Sequence, residues 1–135
     1  MRLGVDTSVL LRLFLKDDAD QLAEVRAMIE RVAAVDGVLY VAQAVLCELV
    51  WVLTIKARFT RDQIAEAVQG LIETATIELE GHDAVCAALE RHATSNAGFA
   101  DCLIVENVLA AGAARFATFD KRLLRSDDCV SPAAV

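Results

Sequence analysis

Four short runs with strand chemistry, "MRLGV", "VLYVA", "TIELE" and "RFATF", are separated by longer segments whose apolar residues recur at helical spacing. This alternation constrains the chain more than any other feature. Strands separated by helices are joined by crossovers rather than tight hairpins, so neighbouring strands run parallel and the helices cover the faces of the sheet. The expected fold class is therefore α/β, a three-layer α/β/α sandwich with a mostly parallel central sheet. In such sheets functional groups gather beyond the carboxyl ends of the strands.

The helical segments read as "VLLRLFLKDD", "DADQLAEVRAMIERVAAVDG" stopped at Gly37, "AVLCELVWVLTIKAR", "TRDQIAEAVQGLIET" capped by Thr60, "DAVCAALERHATS" and "FADCLIVENVLAAG". "KRLLRSD" predicts a last short helix, and "CVSPAAV" an edge strand or an unpaired tail. Of the 135 residues 56% are hydrophobic and only one is Pro, with no low-complexity run, so residues 1–135 are read as a single domain with its own core. Asp6 and Arg12 interrupt the apolar N-terminal run, which argues against a secretion signal, and the oily stretch around Glu48 is too short to span a membrane. A soluble, cytoplasmic protein is expected. Cys47, Cys86, Cys102 and Cys129 form no C-x-x-C pair and read as reduced thiols filling small apolar positions.

Four carboxylates stand where simple folding does not ask for them. Asp6 directly follows the first strand and Asp120 the last of the four runs. Glu48, inside "LCELVWVL", has Ala44, Val45, Trp51 and Val52 as its helical neighbours, and Asp101 has Ala97, Gly98, Ile104 and Val105, so neither has a cation within a helical turn. Each has an ordinary reading: a helix cap for Asp6, a turn for Asp120, a helix face rotated to solvent for the other two. If Glu48 and Asp101 instead face the rim of the sheet, the four form one cluster. Two like charges about 4 Å apart repel by roughly 4 kcal/mol at an effective dielectric near 20, so such a cluster requires raised pKa values or bound cations. Hard divalent ions, Mg²⁺ or Mn²⁺, suit an all-oxygen donor set. Ser8 and Thr118, polar residues at two strand ends, are placed to orient a carboxylate or a water. No His lies near these positions for a zinc-type site, since His82 and His92 both lie on the intervening helix, where they read as exposed residues. Acid-rich sites of this kind mostly carry out phosphoryl chemistry.

In order and spacing, "VDTSVLLRLFLKDD", "LCELVWVL", "FADCLIV" and "ATFDKRL" resemble the acidic motifs of PIN-domain ribonucleases, particularly the VapC-type toxins of bacterial toxin–antitoxin pairs. The resemblance runs from near the first residue to about Leu124. It implies Mg²⁺- or Mn²⁺-dependent endonucleolytic cleavage of single-stranded RNA, with Asp6, Glu48, Asp101 and Asp120 as metal-binding acids assisted by Ser8 or Thr118. It also implies a homodimer and a cognate antitoxin that covers the acidic groove. One departure stands out: many members carry a further acid three residues before the one matching Asp101, and here that position is Gly98, so one firmly bound ion is expected rather than two.

The net charge of −7, from 20 acidic and 13 basic residues, is unlike that of a general nucleic-acid binder. Local cations have to supply phosphate contacts, and Lys121, Arg122 and Arg125 after Asp120, with Lys56, Arg58 and Arg61 closing the Glu48 helix and opening the next, are the candidates. Aromatic residues are few, at 5%, which points to recognition of RNA backbone and shape more than of stacked bases. A phosphatase of the haloacid-dehalogenase type wants a second Asp where Ser8 stands, and a receiver domain wants an early acidic pair that is absent. The remaining rival is a non-catalytic PIN-like interaction module whose acids bind a basic partner.

Overall fold

A computed structural model describes residues 1–135. The chain forms two compact units, Met1–His82 and Asp83–Val135. In the first, β1 (Arg2–Gly4), β2 (Val38–Val41) and β3 (Ile77–Leu79) make a sheet in that order, with both strand pairs parallel. The crossovers are α1 (Thr7–Phe14) with α2 (Ala19–Ala34), and α3 (Gln43–Ile55) with α4 (Arg61–Glu73). In the second unit α5 (His82–Thr94) and α6 (Phe99–Ala110) precede a two-stranded parallel sheet, β4 (Phe116–Ala117) with β5 (Cys129–Val130). All strand pairs are parallel, as the βα alternation predicts. No helix is long and apolar enough to cross a membrane.

The first unit's core follows from its periodicities. Leu39 and Val41 of β2, two residues apart, are each 1% exposed, and Tyr40 between them points the other way, beneath the Arg2 guanidinium. On α3 the buried positions are Leu46, Leu49, Val50 and Leu53, the i, i+3, i+4, i+7 seam of an amphipathic helix. Two α3 features come from outside the helix. Ala42 at its N-cap has no side chain to offer, and Glu80, just beyond β3, accepts the Gln43 N–H at 2.8 Å instead. The next residue, Gly81, has φ +65°, a backbone conformation that favours glycine, and a Cβ there would meet the end of the Gln43 side chain, which would have to move.

Thr60 caps α4 through a reciprocal box: its Oγ1 accepts the Gln63 N–H at 3.2 Å while Gln63 Oε1 accepts the Thr60 N–H at 2.8 Å. Thr60→Ala is expected to lower stability by about 1 kcal/mol, with most of the loss recovered by Thr60→Ser. Urea denaturation of the three proteins checks this.

The second unit corrects three expectations. "RFATF" pairs over only two residues, and "KRLLRSD" shortens to a single 3-10 turn at Leu123–Arg125, since an isolated helix of that length has too few hydrogen bonds to offset nucleation. The "CVSPAAV" segment supplies β5 and then a short 3-10 turn at Pro132–Ala134. His92 is buried at 5% exposure, edge-on to Phe99 with ring centroids 6.3 Å apart, where an exposed residue was expected. His82 is exposed as expected. None of the four cysteines forms a disulfide; Cys102 and Cys129 are buried, and burial raises the thiol pKa of Cys47 and Cys129.

Candidate active site

The first unit positions two of the four acids. Asp6 stands just beyond β1 as the N-cap of α1, its Oδ1 accepting the Thr7 N–H at 2.8 Å and its Oδ2 accepting from Ser8 Oγ at 3.2 Å. Both oxygens are thus held at the N-terminus of α1. Asp6 remains exposed, while Thr7 beside it is buried at 4% with a hydroxyl that has no hydrogen-bond partner. A buried hydroxyl in this state is short of one bond, which a water or an ion's ligand shell would supply.

Glu48 is exposed, the ordinary reading of a helix face turned to solvent. The reason is rotational. At about 100° per residue, Glu48 lies roughly 200° round α3 from Leu46, on the face opposite the buried seam. It shares that face with Trp51, which is 55% exposed.

In the second unit Asp101 and Asp120 meet a common cation. Asp101 lies in the first turn of α6, half exposed, and Asp120 follows β4 by three residues. The Arg122 guanidinium grips Asp120 with both edges, Nε to Oδ1 at 3.1 Å and Nη2 to Oδ2 at 3.0 Å, and the same Nη2 stands 4.0 Å from Asp101 Oδ2. The Arg122 backbone N–H also donates to Asp120 Oδ1 at 2.8 Å. These bonds from Arg122 lower the Asp120 pKa and raise that of Arg122. Thr118 Oγ1 accepts the Asp120 N–H at 3.0 Å and so fixes the turn that carries the acid. Gly98, the N-cap of α6, is close to this group: a Cβ there would stand 3.1 Å from Asp101 Oδ2, so a side chain at 98 would push against that carboxylate.

The cations proposed for phosphate contact are distributed along surface segments. Lys56 caps the C-terminus of α3 and Arg58 follows it with φ 57°; Lys121 precedes the 3-10 turn and Arg125 ends it, and all four are exposed. Beside these four, Arg122 is tied to acids. The sequence reading passed over Phe119, which is 84% exposed directly before Asp120. Counting aromatics hid it; its place in a short turn beside an acid was the available signal.

All four candidate acids offer oxygen donors only, which suits a hard divalent cation in kind. Within neither unit do three or more His, Cys, Asp or Glu side chains come close enough to hold an ion unaided. What the second unit holds is a pair of candidate ligands with a guanidinium against them.

Comparison with protein families matches residues 4–128 to the family model described as PIN domain. That span contains all four acids. Comparison with curated proteins finds no match.

Proposed function

Since this chain belongs to the PIN domain family, whose members are generally nucleases, we propose that it is a divalent-metal-dependent endoribonuclease of the VapC toxin type, cutting single-stranded or loop regions of RNA. The observation that carries the reading is one family match, over residues 4–128, that encloses Asp6, Glu48, Asp101 and Asp120. The order and spacing of the acidic motifs support the toxin type. A cognate antitoxin and a homodimeric state belong to the same proposal.

Asp6, Glu48, Asp101 and Asp120 are the residues that would hold the ion, Mg²⁺ or Mn²⁺. Such an ion, when bound, supplies Lewis-acid activation of water and neutralises charge at the phosphodiester. The chain's own residues do the positioning. Ser8 restrains the Asp6 carboxylate and Thr118 the Asp120 turn, so both acids are set before substrate arrives. Lys121, Arg125, Lys56 and Arg58 are free to contact backbone phosphates, and Phe119 offers a flat apolar face on which an unpaired base can stack.

The test is cleavage of a mixed pool of structured and unstructured RNAs by purified, antitoxin-free protein in Mg²⁺, in Mn²⁺ and in EDTA. Cuts in unpaired regions that require metal are expected. A folded protein that binds RNA or a basic peptide and cuts nothing in any metal would overturn the proposal in favour of a non-catalytic interaction module.

A further inference from the structure

Arg122 is the one basic residue set against two of the four candidate acids. A guanidinium two residues beyond Asp120 on an exposed turn has open solvent and a cavity of about 570 Å³ available to it, the latter lined by Arg91, Ser95, Glu106, Arg125 and Ser126 as well as by Arg122 itself. It nevertheless lies on the carboxylates, with two hydrogen bonds to Asp120 and an approach of 4.0 Å to Asp101. A fourth contact, from Nη1 to the Asn96 carbonyl at 3.5 Å, ties it to the turn that precedes α6.

We propose that Arg122 is a built-in countercation that competes with the divalent ion for Asp101 and Asp120, and so sets the affinity of the site for metal. This rests on the reading that these two acids are metal ligands. The bidentate grip uses the same Asp120 oxygens that an ion needs, so guanidinium and ion exclude each other there. Between occupations the arginine keeps the two acids paired without a metal, which like charges would otherwise oppose.

The contact is also weak enough to yield. The Arg122 side chain is 51% exposed, that of Asp101 48% and that of Asp120 23%, and an ion pair whose cation is this open to water contributes little net energy. An ion entering the pair therefore displaces Arg122 at modest cost, and the released guanidinium has the adjoining cavity, or a substrate phosphate, to turn to. Arg122 acts through the acids it holds, as a positioning residue.

Mn²⁺ binding to the full chain, followed by the electron paramagnetic resonance of free Mn²⁺ at fixed ionic strength, tests this with wild type, Arg122→Gln, Arg122→Lys and Asp120→Asn. Arg122→Gln is expected to bind Mn²⁺ roughly 5-fold more tightly than wild type, the scale set by one exposed ion pair. Arg122→Lys should fall between the two, since it keeps the charge and loses the fork, and Asp120→Asn should bind more weakly than wild type. Wild-type binding that Arg122→Gln leaves unchanged or weakens overturns the competition and leaves the metal reading intact. Absence of Mn²⁺ binding in every form overturns both. A measurement on the wild type alone covers the case in which a variant fails to fold: the Arg122 Nε–H resonance is expected to move as Mg²⁺ is added, and a resonance that stays fixed while Mg²⁺ binds overturns the proposal.

Discussion

Asp6→Asn and Asp101→Asn are each expected to reduce metal-dependent RNA cleavage by a factor on the order of 100 or more, with little change in the thermal stability of the protein. The two halves of this result come from different physics. Asparagine keeps the size and one acceptor oxygen of aspartate but removes the charge, so a site that depends on anionic ligands loses affinity for its ion. Folding has less at stake. Asp6 caps α1, and asparagine is as good an N-cap as aspartate, so the Thr7 N–H keeps its acceptor. Asp101 is half exposed and its one ionic contact is a long one, 4.0 Å from Arg122. Cleavage is measured as initial rate on a single-stranded RNA in excess Mn²⁺, beside a melting curve for each protein. Loss of activity with an unchanged melt assigns the acids to chemistry. Retention of full activity in both variants would remove them from the site and with them the metal-dependent mechanism.

That Asp6 stands at a strand end and caps a helix was legible from the sequence because its cue is local. A strand ending in Asp-Thr-Ser before a helical run can place the Asp only at the strand end and helix start, and both are found. The order of elements was legible for a similar reason: each strand and helix carries its own periodicity, so the alternation predicts parallel pairing before any coordinate is known. Glu48 marks where this stops. Its helical neighbours are apolar in sequence, yet a helix has an outside, and Leu46, Leu49, Val50 and Leu53 settle which side that is. Reading the strongest four-residue seam, rather than the residues flanking the acid, predicts an exposed Glu48. His92 fails in the opposite direction, since its burial depends on Phe99, which comes seven positions later on another helix. The Arg122 grip lay two residues from Asp120 in plain view, but a bidentate contact depends on the turn that Thr118 fixes, and turn geometry is poorly encoded by residue type.

Arg91→Met is expected to be the most destabilising substitution of a charged residue in the second unit, costing about 2–3 kcal/mol and lowering Tm by on the order of 10 °C. Arg91 on α5 is 12% exposed and spends its whole fork: Nε on Glu106 of α6 at 2.8 Å, Nη2 on Asp128 at 2.7 Å, and Nη1 on Asp128 and Ser126 at 3.1 Å. It thereby joins α5, α6 and the segment leading into β5. The apolar replacement leaves Glu106 and Asp128 without their shared cation, with Ser126 Oγ still donating to Asp128 at 2.7 Å, and the lost cation is where the cost arises. It stays below the roughly 3–5 kcal/mol of a fully buried pair because Asp128 keeps contact with solvent. Hydrogen bonds from Arg91 hold the Asp128 carboxyl down to about 2 from an ordinary 3.8, and the same contacts raise the Arg91 pKa. A depressed carboxyl stabilises the folded state above its unfolded pKa and ceases to do so as it is protonated in the fold. The stability gap between wild type and Arg91→Met should therefore be full at neutral pH and narrow as pH falls from near 3.8 towards about 2. Denaturation of both proteins at pH 7 and at steps below pH 4 separates this from a packing effect. A gap of the same size across that window would show that the alkyl stem of Arg91, and not its charge, holds the second unit together.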